Sequence, residues 1–505
     1  MSFIKKAFLT YASGMLKGLD RTRKCPFEVQ MKVFTTLLKG GKDTAFGSEH
    51  GFSKIGSVRD FQRQVPVRDY DALYPYIERL RSGEDYVLWD EKTRFFAKSS
   101  GTSSGKSKFI PITRTNLWGC HYGGMQRMLA NYVQHYPDSR IYSGKALTLG
   151  GSVEPDLGGR SFSGDLSAIL LRNSPALVEF LRIPDRKTAM MHDFHEKVEA
   201  ICRHYSKANV TNFAGVPSWN LIMLRRVMEY NNASWLTDVW PHLELFMHGG
   251  ISFEPYRVQY DAIIPHGSVR YFENYNASEG YFAFQDDPED KSMLLTLDNG
   301  VFYEFATLKE LSDAMTNGDP VPTHTVDEVQ TGVPYAVIIS TTAGLWRYLI
   351  GDVVTFTSLT PHKIMISGRT QLFINAFGEE LMIGNANTAL AAACKTHHAT
   401  VSDFTVAPIF MEGKSKGAHQ WVVEFENAPE SVEAFADTLD EAICACNSDY
   451  EAKRTHTMTM ERPHLTVVPK GTFFRWMESR GKIGGQNKVP RLYGDRRYVE
   501  EILGI

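Results

Sequence analysis

Residues 99–109 read Ser-Ser-Gly-Thr-Ser-Ser-Gly-Lys-Ser-Lys-Phe, directly after the apolar run Phe95–Ala97. Glycines let a backbone approach a ligand closely, hydroxyls and amides donate hydrogen bonds, and lysines neutralise negative charge. Such a loop can wrap a polyphosphate. It is not a Walker A loop, because only Thr102, Ser103 and Ser104 separate Gly101 from Gly105 where that motif needs four residues. On composition alone, a polar surface loop is the competing reading.

Around this loop the chain is that of an ordinary folded protein. Its 505 residues exceed what one core supports and predict two or more domains. Hydrophobic residues make up 43% and charged residues 22%, and the formal charge of −3 gives no reason to expect nucleic acid or an anionic membrane as partner. The six cysteines form no C-x-x-C pair, a usage that predicts a reduced, cytoplasmic protein. No run of eighteen apolar residues suggests a membrane span. The N-terminal segment, with Lys5 and Lys6 before an apolar stretch broken by Thr10, Tyr11 and Ser13, predicts an amphipathic helix rather than a signal peptide.

Coarse periodicity predicts an α/β fold. The first ninety residues read mostly as helices, as do Val198–Tyr205 and Trp219–Tyr230. Between them lie β-like runs at Ala146–Leu149, Val269–Phe272, Leu294–Leu297, Val301–Phe305 and Tyr335–Ser340. This alternation predicts sheets covered by helices. After a break near Ser367–Arg369 come strands at Phe404–Phe410, Trp421–Glu426 and His464–Val468, with helices at Glu430–Cys446 and Phe473–Ser479. That pattern predicts a small C-terminal α+β module of roughly 130 residues.

Further segments carry candidate chemistry. In Tyr275-Asn276-Ala277-Ser278-Glu279, a tyrosine can stack on a purine, a hydroxyl can bond a phosphate oxygen, and a carboxylate can hold Mg²⁺ beside nucleotide phosphates. A strand end with a solvated glutamate is the alternative. In Trp346–Asp352, an aspartate just past a tight Gly351 turn can accept both ribose hydroxyls, or simply cap the strand expected at Val353–Thr357. Gly368 can absorb a backbone rotation and Arg369 can reach a phosphate or ribose; a hairpin turn with a surface arginine competes. Gly484–Arg491 is a glycine-rich loop whose Lys488 could be brought to a carboxylate–phosphate junction. Gly249 and Gly250, after His248, would let ligands lie against the backbone. Val216 and Trp219 open a helix that either lines a pocket or packs in the core. No H-E-x-x-H and no G-x-S-x-G appears, which argues against a zinc protease and an α/β-hydrolase.

The loop at 99–108 resembles the SSGTSxGxxK pattern of the auxin-responsive (Gretchen Hagen) acyl acid-amido synthetases, a branch of the adenylate-forming enzymes, with every fixed position present. Tyr275–Glu279 is similar to the family's Tyr-x-Ser-Ser-Glu form, with Ala277 in place of its first serine. Arg347–Asp352 resembles Arg-Tyr-Arg-x-Gly-Asp, with Leu349 in place of the second arginine, and Gln486–Arg491 is similar to Gln-x-Lys-x-Pro-Arg.

The resemblance implies a large adenylation domain over residues 1–367 and a mobile C-terminal domain over 368–505. It implies ATP and Mg²⁺ as cofactors, and a carboxylic acid and an amine, expected to be an amino acid, as substrates. Ser99, Ser100, Gly101, Thr102, Ser103, Ser104, Gly105 and Lys108 would hold phosphates, and Glu279 the metal. Asp352 would hold the ribose, with Gly249, Gly250, Tyr275, Asn276, Ala277, Ser278 and Arg369 also at the nucleotide. Lys488, Glu279 and Lys108 would act in catalysis, and Val216, Trp219 and His248 would line the acyl pocket. Transfer of the acyl group to coenzyme A, or a non-catalytic nucleotide-binding role, are the alternatives these motifs leave open.

Overall fold

Strands that are apolar on both faces must be covered on both faces. Pro334–Thr341 is such a strand, buried from Tyr335 onward. The computed structural model describes residues 3–99, 108–156, 159–191, 193–250, 253, 256–370, 373–374, 379, 381–409, 416–451, 454, 460–482 and 488–504. The chain divides into two compact units, one of Met1–Gly250 and Ile264–Met365, the other of Ile251–Ile263 and Ile366–Ile505.

Among the described residues, the first unit is built on an eleven-stranded sheet. Its order is Val301–Thr307, Pro334–Thr341, Tyr348–Leu359, His362–Arg369, Met293–Leu295, Gly280–Gln285, Arg270–Ala277, Leu245–Gly249, Val210–Gly215, Lys145–Thr148, Arg182–Ile183. Arg270–Ala277 is the turning point. It pairs antiparallel with Gly280–Gln285 on one side and parallel with Leu245–Gly249 on the other. From there to Arg182–Ile183 every pairing is parallel. A smaller sheet, ordered Lys108–Ile112, Phe95–Ser99, Phe162–Gly164, Val153–Pro155, carries the hydroxyl-rich loop.

Helices close these sheets. The segment Phe3–Lys24 is one amphipathic helix, tied to the core by Phe8 against the Tyr142 ring and by Arg23 paired with Asp286 at 2.9 Å. Pro26–Gly41 packs on the outer strand Val301–Thr307, where Gln30 receives the Tyr303 N–H and donates to the carbonyls of Leu297 and Val301. Its last residue is glycine for a steric reason: a Cβ on Gly41 would stand 2.4 Å from the Trp346 ring. Trp346 is fully buried among Phe46, Phe52, Phe61 and Trp89. No described helix is long and apolar enough to cross a membrane.

The second unit follows from strict alternation. In Ala418–Asn427, Trp421, Val423 and Phe425 face one core with the helices Ile383–Thr396 and Val432–Cys446. Val422 faces a second core with Thr472–Ser479 and Arg497–Leu503. Thr400–Ile409 and His464–Val468 flank this strand and complete a three-stranded sheet covered on both faces.

One local expectation fails. Gly351 is not at a turn before a strand, because the strand runs unbroken from Tyr348 to Leu359. Across it the register slips: Ala336 pairs with Val353, whereas Ile338 pairs with Leu349. The extra residues form a bulge, and Gly351 takes φ +93°, a left-handed conformation that costs a side-chain-bearing residue strain. The break expected near Ser367–Arg369 lies beside the boundary between the two units, which falls between Met365 and Ile366 within the strand His362–Arg369.

Candidate active site

Four parallel strands, Lys145–Thr148, Val210–Gly215, Leu245–Gly249 and Arg270–Ala277, end along one edge of the sheet. Open α/β sheets bind ligands beyond the carboxyl ends of their strands, where the strand order changes sense. The sequence candidates sit there: Val216 just past one strand, His248–Gly250 at the end of the next, and Tyr275–Glu279 at the end of the turning-point strand.

Tyr275–Glu279 closes a hairpin. Ala277 pairs with Gly280, so Ser278 and Glu279 form a two-residue connection. Both are buried, which is unusual for a hairpin tip, and a buried carboxylate requires compensating partners. Leu117–Tyr122, a π-helical turn, packs over the tip. There Cys120 Sγ accepts the Tyr281 N–H at 3.2 Å, and His121 Nδ1 lies 3.4 Å from Asn276 Oδ1. Burial holds the His121 imidazole far below its usual range, at about 4, with the Asn276 contact opposing, so it is neutral at physiological pH. π-Helical turns cluster at functional sites. Nothing in the sequence marks His121, because a lone histidine on an apolar helix carries no motif.

The bulge at Gly351 aims Asp352 at this hairpin. The Tyr275 hydroxyl donates to Asp352 Oδ2 at 2.5 Å, and both residues are buried. The Tyr275 ring packs edge-on against Phe282, with centroids 4.9 Å apart. Upstream, Arg347 anchors the strand. Its backbone takes φ +46°, and its buried guanidinium grips both oxygens of Glu304 at 2.9 and 3.0 Å. It also donates to Thr323 Oγ1 and to the carbonyls of Gln62 and Val65. This first arginine of the motif is therefore a structural anchor.

The other candidates take varied places. Ser99 pairs with Lys108 at the mouth of the hydroxyl-rich hairpin, and the Lys108 ammonium lies 5.8 Å from the Tyr70 ring centroid. Ser100, Gly101, Thr102, Ser103, Ser104 and Gly105 lie outside the described residues. Gly249 has a reason in the sheet itself: a Cβ there would stand 2.3 Å from the Asn274 carbonyl. His248 is buried beside Phe246, and Asn274 Nδ2 donates to its carbonyl at 2.9 Å. Trp219 packs edge-on against Phe194 in the helical layer. Arg369 and Lys488, both half-buried, belong to the second unit. Among the described residues no group of three or more His, Cys, Asp or Glu side chains could hold a metal by itself.

The fold is shared with solved structures of an acyl acid amido synthetase and a CoA ligase. A solved structure of GH3.15 acyl acid amido synthetase matches it with TM-score 0.79 and 18% identity over 100% of this chain and 97% of that one. A 2-hydroxyisobutyryl-CoA ligase in the postadenylation state matches with TM-score 0.56 and 12% identity over 94% and 92%. Family models place it further: that for the GH3 family N-terminal domain matches residues 15–269, the central-domain model 294–369 and the C-terminal-domain model 384–497. The chain belongs to the GH3 family. Its similar relatives include a jasmonoyl–L-amino acid synthetase, JAR4, of Nicotiana attenuata, 24% identical over 92% of this chain and 91% of that one. Indole-3-acetic acid-amido synthetase GH3.8 of Oryza sativa subsp. indica is 24% identical over 94% and 90%. The resemblance read from the motifs is thus borne out, and amido synthetase is the class of these relatives.

Proposed function

We propose that this protein is an ATP-dependent acyl acid-amido synthetase whose nucleotide site is the carboxyl edge of the mixed sheet. The observation that carries the site is the buried Tyr275–Asp352 pair beside the buried Ser278–Glu279 tip. In the first half-reaction, an oxygen of the substrate carboxylate attacks the α-phosphorus of ATP and pyrophosphate leaves, giving an acyl-adenylate. In the second, an amine attacks the acyl carbon, the amide bond forms, and AMP leaves with the carbonyl-side electron pair. A carboxylate is a poor electrophile because its charge repels nucleophiles, and adenylation replaces that charge with a leaving group.

Asp352, held by Tyr275, accepts the ribose hydroxyls. The segment Ser99–Lys108 holds the outer phosphates. Glu279 fits a magnesium ion shared with ATP, since magnesium keeps most of its waters and takes one or two carboxylates beside phosphate oxygens. The single carboxylate at the hairpin tip suits that donor set better than a protein cage. The ion, when bound, supplies neutralisation of phosphate charge. Lys488 stabilises charge developing between carboxylate and phosphate. Residues 1–367 serve adenylation, and the part from 368 to 505 brings Lys488 in and then gives way to the amine. His248, Val216 and Trp219 line the acyl side. The amine is an amino acid, as the names of the relatives suggest, and six unbridged cysteines support a cytoplasmic setting.

Acid-dependent ATP–pyrophosphate exchange with Mg²⁺, over a panel of indolyl, aryl, jasmonate-like and aliphatic acids, tests this reading. Exchange with at least one acid, followed by amide rather than thioester formation when amino acids and coenzyme A compete, is expected. ATP binding without exchange for any acid refutes the adenylation step. Lys488→Ala is expected to slow exchange at least a hundredfold, on the order of the loss of one preorganised charge-stabilising group.

A further inference from the structure

The segment Ile251–Ile263 belongs to the second unit, although its sequence neighbours, the strands Leu245–Gly249 and Arg270–Ala277, belong to the first. Within the second unit it lies against Thr400–Ile409, where Gln259 Nε2 donates to the Val401 carbonyl at 3.3 Å. The buried Tyr256 hydroxyl accepts a hydrogen bond from Arg491 Nη2 at 2.9 Å. The same guanidinium pairs with Asp403, donates to the Phe404 carbonyl at 2.9 Å, and lies 4.7 Å over the Phe404 ring.

Arg491 stands three residues after Lys488. The chain just after Lys488 is held at the backbone from Pro490 to Tyr493 as well. The Val406 N–H donates to the Arg491 carbonyl at 2.8 Å, the Tyr493 N–H to the Val406 carbonyl at 3.0 Å, and the Thr405 hydroxyl to the Pro490 carbonyl at 2.5 Å. One planar fork thus serves Asp403, Phe404 and Tyr256 together, a task a lysine ammonium on a flexible stem does not reproduce.

We propose that Arg491 and Tyr256 are positioning residues for Lys488. A point charge on a long stem accelerates a reaction only where its backbone is preorganised. The Asp403–Arg491–Tyr256 clamp supplies that fixed backbone. The inference rests on the reading of Lys488 given above.

Two measurements test it. Hydrogen exchange of the full-length protein, read by mass spectrometry with no substrate added, follows the amides of Val406 and Tyr493. Tyr256→Phe removes one acceptor from a charged donor and is expected to speed their exchange about tenfold, while the strand Ala418–Asn427 keeps its protection. Unchanged exchange at Val406 and Tyr493 overturns the clamp, whether or not any acid has been found.

With the acid of the panel that supports fastest pyrophosphate exchange, Tyr256→Phe is expected to lower kcat about tenfold and leave KM for ATP and for the acid unaltered. Arg491→Lys is expected to do the same more severely. In a Lys488→Ala background, Tyr256→Phe should slow exchange no further. A rise in KM in place of the kcat loss, or an equal additional loss in the Lys488→Ala background, refutes positioning. Full exchange by Lys488→Ala alone refutes the role of Lys488, an outcome separate from the behaviour of Tyr256→Phe.

Discussion

Replacing Arg347 by methionine should unfold the first unit more readily than any surface change. Five contacts depend on the guanidinium: two to Glu304 at 2.9 and 3.0 Å, one to Thr323 at 2.7 Å, and one each to the carbonyls of Gln62 at 2.9 Å and Val65 at 2.6 Å. The two charged side chains are 2% and 1% exposed, so water does not replace what is lost. Removing one partner of a buried pair costs about 3–5 kcal/mol, and each orphaned carbonyl adds about 1 kcal/mol or more. A loss of about 5 kcal/mol is a large share of the roughly 5–15 kcal/mol that holds a domain folded. Urea denaturation followed by tryptophan fluorescence is suited to the test, since the buried Trp346 is the adjacent residue. The double variant Arg347→Met with Glu304→Leu should recover about half of the loss, because the uncompensated charge is gone while the Gln62 and Val65 carbonyls stay orphaned. A loss below about 1 kcal/mol in the single variant, or a double variant no better than the single, refutes the reasoning that charge compensation anchors this strand.

Asp352→Ala should weaken ATP binding by about 3 kcal/mol, the order of two hydrogen bonds to a charged acceptor, and titration with a fluorescent nucleotide will measure it. Unchanged affinity removes the ribose assignment. Gly351→Ala places a Cβ at φ +93°, so a stability loss of about 1–3 kcal/mol is expected together with weaker ATP binding as Asp352 is re-aimed. Normal ATP affinity in that variant would separate the bulge from the site. His121 gives the pH dependence. Its folded-state value of about 4 lies below the unfolded 6.5. Above pH 6.5 neither state is charged; as pH falls from there toward 4 the unfolded chain gains a proton that the folded chain refuses. Stability should therefore drop by up to about 3 kcal/mol across that window, and His121→Gln should flatten this part of the acid limb in urea melts at pH 4.5 and 7. Equal slopes in both proteins would mean that His121 is not the titrating group.

Much of the sheet is legible from alternation. Val301–Phe305 and Tyr335–Ser340 lie within strands that extend one or two residues further, and Trp421–Glu426 lies within Ala418–Asn427. The parallel half is harder. Val210–Gly215 reads Val-Thr-Asn-Phe-Ala-Gly, and its Thr211 and Asn212 are buried polar residues that erase any apolar run. Thr211 is tolerated there because its hydroxyl bonds the Ile141 carbonyl, a long-range partner that local sequence cannot announce. Gly351-Asp352 misleads for a related reason. Gly-Asp normally marks a turn, but here tertiary pairing draws the dipeptide into a strand and leaves only a bulge. The motifs supplied candidate residues without the contacts that join them. The Tyr275–Asp352 bond spans 77 positions, and the assignment of Ile251–Ile263 to the second unit has no composition signal at all.

The two departures from the family pattern gain meaning from where they fall. Ala277 and Leu349 are only half-buried, whereas Ser278, Glu279 and Asp352 between and beyond them are buried. Ala277 packs against the edge of the large core, and Leu349 is held through its backbone, whose N–H donates to the Arg68 carbonyl at 2.8 Å. Neither position needs its own polar side chain for the strand to keep its course. The course itself is fixed by Arg347 on Glu304 and by the Gly351 bulge, and these set the direction of Asp352. Loss of a hydroxyl at 277 and of a charge at 349 therefore leaves the setting of both carboxylates intact. What the two changes alter is the half-exposed surface beside those carboxylates.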